Sequence, residues 1–188
     1  FLESRQLYRS FKMARAILFY RPCKITFFFM IYILVIAVGS SLLISFTCSI
    51  MEAALYAVPV AHVRHAAASG SKSAKILEQF KSDIGKPIAV ILIINTIANT
   101  AGPAFAGWIV GRIFGSDPWA VGVFSAFYTL AVLFFGEIVP KTAGVIYSRD
   151  VSLFAARPLN LLLKIFSPFL VVTEASRRLW IKHEEEPS

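Results

Sequence analysis

ITFFFMIYILVIAVGSSLLISFTCSIM, residues 25 to 51, contains no charged side chain. It is longer than the roughly 20 apolar residues that cross a hydrocarbon core of about 30 Å. It also exceeds the ~7–15 residue apolar region of a cleaved signal peptide. It therefore reads as a transmembrane helix. Two further runs, Pro87 to Gly111 and Pro118 to Gly136, are equally free of charge. Over 188 residues, 57% are hydrophobic and 16% charged, and the mean hydropathy is +0.68. These values predict an all-α membrane protein with three transmembrane helices, at about 25–58, 87–111 and 118–146.

The segments between and beside these spans complete the organisation. Residues 1–24 carry Arg5, Arg9, Lys12, Arg15, Arg21 and Lys24 against one acid and read as a basic interfacial segment. Residues 59–86, polar and interrupted by Ser69-Gly70-Ser71, suit two short helices outside the membrane. Residues 149–188 hold Arg157, Pro158, Lys164 and Pro168, which argue against a fourth crossing and for proline-broken amphipathic helices along the surface, ending in an acidic C-terminus. The domain is thus 25–148, flanked by 1–24 and 149–188. The first span is long enough to need a tilt or bend, and Gly39-Ser40-Ser41 is the natural place for one.

The net charge of +8 lies beside the apolar runs rather than among aromatic stacking positions, so lipid head groups, not nucleic acid, are the expected partner. Lys and Arg number seven on the N-terminal side of the membrane, against five in the 59–86 loop plus Arg149, Arg157 and Lys164 near the last helix on the other, which leaves orientation open by charge alone. Cys23 and Cys48 are too few for a disulfide framework, and His62 with His65 lacks the third ligand zinc needs. A solvated helical face accounts for the histidines. With no Ser/His or paired-Asp arrangement in the spans, the chain does not read as an enzyme.

Polar groups inside the spans are expensive unless they face protein or water. At 100° per residue, Ser41, Ser45, Ser49 and Glu52 fall within an arc of about 80° on the first helix. Asn95 and Asn99 share a face of the second, followed by Gly102-Pro103. The third carries FFGEIVPKT, Phe134 to Thr142. Pro140 has no N–H and displaces the carbonyl four residues earlier, that of Gly136, which must then find water, a neighbouring donor or a cation. Glu137 sets a carboxylate beside it. Hydroxyl, carboxamide, carbonyl and carboxylate oxygens suit hard cations such as Mg²⁺ or Na⁺.

At these residues the chain resembles the transmembrane domain of the CNNM/CorC magnesium transporters, also called cyclin M proteins. The likeness runs from about Ile31 to Pro158. It rests on Ser45 and Ser49 before MEAAL, on LIINTIANT (Leu92 to Thr100), and above all on GEIVPKT (Gly136 to Thr142). The resemblance implies a homodimer with three membrane helices, a short cytosolic helix pair, and a juxtamembrane belt helix leading to cytosolic CBS domains, none of which follows Ser188 in this sequence. It implies a dehydrated Mg²⁺ between the helices, its efflux coupled to Na⁺, and an extracellular N-terminus with a cytosolic C-terminus at the plasma membrane. By position, Ser45, Ser49, Asn95, Gly136 and Glu137 become the metal-site residues, with Asn99 a further candidate. Glu52, Pro140 and Lys141 become structural or gating residues. Met51 stands where the family often has a small or polar residue.

Blander accounts stand beside each assignment. Ser45 and Ser49 can bond the preceding turn, Asn95 and Asn99 can tie helices together, and Glu137 can pair with Lys141 at i,i+4. Glu52 can face water at the boundary. A membrane sensor or interaction module that binds an ion without moving it is the alternative to transport.

Overall fold

The computed structural model describes residues 24–115 and 117–168. The basic segment expected at 1–24 lies outside the described residues but for Lys24, as does everything beyond residue 168. The described residues form helices and no strand. They are α1 Lys24–Ala57, α2 Val60–Ala68, α3 Lys72–Ser82, α4 Gly85–Ile113 and α5 Pro118–Ala131. A π-helical segment, Val132–Ile138, follows, then α6 Val139–Ile146 and α7 Ser148–Ile165. Ile25–Ala57, Gly85–Ile113 and Pro118–Ile146 are long and apolar enough to cross a membrane.

Local chemistry sets the boundaries. Pro59 is extended and caps α2 at its start. Gly70, at φ +90°, turns the chain after α2, and the Ser71 hydroxyl caps α3 by accepting the Ala74 N–H at 3.3 Å. Asp117 caps the third crossing by accepting the Trp119 N–H at 3.1 Å, with Pro118 in the first turn, where its missing N–H costs nothing. At about 1.5 Å per residue, α1 is some 50 Å long, and it runs as helix straight through Gly39-Ser40-Ser41.

The crossings alternate in direction, so the C-terminal ends of α1 and α6 and the start of α4 lie on the side of the α2–α3 pair. There the core is built: Leu55 and Val58 pack with Val63, Leu77, Phe80, Val90, Ile91, Ala156 and Leu159. Within the crossings, large apolar side chains such as Phe28 and Phe127 point outward, where acyl chains would solvate them. Gly144 lets α6 press on α1, since a Cβ there would lie 2.5 Å from the Ile50 carbonyl and 2.9 Å from Ala53 Cβ.

α7 corrects one expectation. Pro158 does not break it: the helix continues to Ile165 and ends ahead of Pro168. Ser152, Ala155, Ala156 and Leu159 form its buried stripe, whereas Pro158 is exposed, as is Phe154, whose carbonyl it releases. That carbonyl belongs to the outward face, where polar surroundings can satisfy it, so the helix survives. The histidines also divide. His65 is exposed, but His62 is half-buried with its Nε2 unpartnered.

Candidate functional site

Ser41, Ser45 and Ser49 stand one turn apart on α1 and are all buried, and their hydroxyls meet different fates. Ser45 Oγ donates to the Gly136 carbonyl at 3.4 Å. Ser49 Oγ is buried without any hydrogen-bond partner. Ser41 Oγ is fully engaged, donating to the Ala98 carbonyl at 2.8 Å and accepting from the Tyr128 hydroxyl at 2.8 Å. None of the three bonds back to its own preceding turn.

The third crossing approaches Ser45 closely because residue 136 has no side chain. A Cβ there would lie 2.8 Å from Ser45 Oγ and 3.2 Å from Ser45 Cβ. The backbone at this point is wider than the proline alone implies. The Val139 N–H, which in an α-helix would serve Phe135, reaches the Phe134 carbonyl instead. Pro140 then has no N–H to offer either Phe135 or Gly136. A single π turn of this kind is a frequent feature of functional helices. Here it loosens two consecutive carbonyls beside Glu137.

On α4, Asn99 Nδ2 donates to Asn95 Oδ1 at 3.2 Å, leaving Asn99 Oδ1 buried and unpartnered. Pro103 lies inside the same helix, so the Asn99 main-chain carbonyl also lacks its usual donor. Asn99 and Glu137 line one cavity of about 280 Å³, together with Pro103, Tyr128 and Thr129. Glu137 is half-buried and makes no ion pair among the described residues. Lys141 turns away from it and lies 3.8 Å from the Glu52 carboxylate, linking α6 to α1. Glu52 therefore ends the serine stripe in a partly exposed ion pair.

Among the described residues, no three His, Cys, Asp or Glu side chains converge. Any ion held here would meet neutral oxygens and one carboxylate, the donor set of a small hard cation. A family model described as the cyclin M transmembrane N-terminal domain matches residues 25–188.

The chain belongs to the cyclin M transmembrane-domain family.

Curated relatives agree with the cyclin M assignment. A UPF0053 protein of Synechocystis is 37% identical over 141 residues, 75% of this chain and 40% of that protein. A UPF0053 protein of Haemophilus influenzae is 31% identical over 119 residues, 63% and 28% of the two chains. A UPF0053 inner membrane protein of Escherichia coli is 34% identical over 105 residues, 54% and 24%. The matched region spans 40% or less of these relatives' lengths. Family and crossings together make this an integral membrane protein.

Three features of this cyclin M domain escaped the sequence reading. The π turn has no residue signature beyond the nearby proline. The Asn99–Pro103 relation follows the same i,i+4 rule as Gly136–Pro140 and was open to the same deduction. The Tyr128–Ser41 bond spans 87 residues of sequence, and only packing reveals it.

Proposed function

We propose that this chain is the membrane domain of a divalent-cation transporter. Mg²⁺ is its cargo, held without most of its water between the three crossings by Ser45, Ser49, Asn95, Asn99, Gly136 and Glu137. The observation that carries this reading is the pair of buried oxygens without partners, Ser49 Oγ and Asn99 Oδ1. An unsatisfied buried oxygen costs about 1–3 kcal/mol, and a cation coordinated at either oxygen would offset its cost. Membership in the cyclin M family supports the same reading.

A dication beside a single carboxylate keeps net positive charge in a low-dielectric site, which holds binding weak enough for release. Sodium is the coupling ion and the direction is outward, with the C-terminus cytosolic at the plasma membrane. The working unit is a homodimer. The chain is a carrier with no covalent chemistry.

The protein reconstituted in vesicles with an enclosed Mg²⁺-sensitive dye tests this. A Na⁺ gradient should drive Mg²⁺ flux, and Asn95→Ala and Glu137→Ala should abolish it while the fold persists. Calorimetric Mg²⁺ binding with no flux would leave an ion-binding sensor instead. Neither binding nor flux would end both readings.

A further inference from the structure

The hydrogen-bond chain from Tyr128 through Ser41 to the Ala98 carbonyl ties all three crossings together at one level. Because the crossings alternate, Ser41 lies one turn farther from the α2–α3 pair than Ser45. Likewise, Ala98 and Tyr128 lie beyond Asn95 and Gly136, respectively. The chain thus crosses the far side of the Ser45, Ser49, Asn95 and Gly136 oxygens. Each member is buried: Ser41 is 4% exposed, Ala98 8% and Tyr128 5%.

The packing admits little else. A Cβ on Gly102 would overlap the Ser41 hydroxyl and lie 2.9 Å from the Tyr128 oxygen. The chain also separates two spaces. Tyr128 lines the side of the 280 Å³ cavity, which contains Asn99 and Glu137 and continues past the tyrosine to Pro103 and Phe124, whereas Ser41, Ala98 and Gly102 line an apolar groove between α1 and α4. The Ser41 proton is committed to Ala98 and one of its two lone pairs to Tyr128, so Ser41 is a poorer ion ligand than Ser49, whose hydroxyl has no partner.

We infer that the Tyr128–Ser41–Ala98 chain is the far-side latch of the ion path, closed in this structure, and that it parts when the ion leaves on the side opposite α2–α3. Tyr128 and Ser41 are positioning residues: they hold α4 and the third crossing against α1 and do not touch the ion. The inference rests on the transport reading above. Weakening the latch should therefore change the rate of opening and leave the ion's affinity alone.

Mg²⁺ flux into dye-loaded vesicles, measured against Mg²⁺ concentration, separates these quantities for the full chain. Tyr128→Phe, which keeps the ring, should raise the maximal flux about fivefold, the size expected for one neutral hydrogen bond. The half-saturating Mg²⁺ concentration should stay within about twofold, and so should calorimetric affinity. Ser41→Ala, which removes both bonds of the chain, should act in the same direction and at least as strongly, and the double variant should not exceed Ser41→Ala, because the Tyr128 bond is already lost there. If one variant fails to fold, the other reads the same bond from its opposite end. An unchanged maximal flux, a changed half-saturation alone, or additive effects would each overturn the latch while leaving transport standing. Wild-type vesicles that move no Mg²⁺ would overturn the transport reading, and the latch with it.

Discussion

Ser45 and Gly136 meet across the first and third crossings, the serine hydroxyl donating to the glycine carbonyl at 3.4 Å. That is a long O–H···O distance, beyond the usual 2.5–3.0 Å or so. A bond this weak is easily exchanged for an ion between the same two oxygens. The close approach depends on the missing side chain at 136, so Gly136→Ala drives a methyl into Ser45. Overpacking of this kind costs about 1–3 kcal/mol. The variant should melt earlier in detergent and lose Mg²⁺ flux, and a wild-type melt with wild-type flux would show that the helices are not in contact there.

Ser49→Ala should do the opposite to stability. It removes a buried hydroxyl with no partner, a group whose burial costs about 1–3 kcal/mol. The ion-free protein should therefore melt at the same temperature or higher, while Mg²⁺ affinity falls by about tenfold, the equivalent of ~1.4 kcal/mol. Thermal melts with and without Mg²⁺ check both halves, and a variant less stable but equally responsive to Mg²⁺ would show Ser49 to be structural.

The Glu52–Lys141 pair should prove weak. Its atoms are 3.8 Å apart and the lysine side chain is half exposed. Pairs of this kind contribute about 0.2–1 kcal/mol and are screened by salt. A double-mutant cycle on Glu52→Gln and Lys141→Met should give a coupling in that range at low ionic strength, and less in high salt. A coupling that is large and indifferent to salt would require a drier pair than this one.

Lys81, outside the membrane on α3, donates to the Tyr56 carbonyl at 3.5 Å, and burial pushes its ammonium below the ordinary value of 10.5. A lowered lysine means the unfolded chain binds more protons than the folded one between the two values. The cost of burying the charge is full at neutral pH, and stability rises as pH climbs through the folded value toward 10.5. Lys81→Met should flatten that alkaline rise in chemical-denaturation midpoints taken across pH. A slope surviving the substitution would assign it elsewhere.

The three crossings were legible because charge-free runs of membrane length have few other fates in a chain of this composition. The wide carbonyl opening at Gly136 was half legible. Pro140 identifies one released oxygen by a covalent rule, while the π turn that releases a second depends on how the helix packs. Partner choice was not legible. Lys141 has Glu137 at favourable i,i+4 spacing but lies beside Glu52, because α6 is pressed on α1 through Gly144. Pro158 misled for a related reason: whether a freed carbonyl breaks a helix depends on which face it occupies.

The π-helical segment at Val132–Ile138 also sets rotational phase. Tyr128 and Gly136 are eight residues apart, which in an uninterrupted α-helix would aim them about 80° from each other. Winding four of those steps at about 4.4 residues per turn brings the two directions nearly into line. Both then address α1, at Ser41 and at Ser45. Regular α winding over the same eight residues would lose that alignment, so the irregular turn is what allows one helix to present a tyrosine and a bare carbonyl to successive serines.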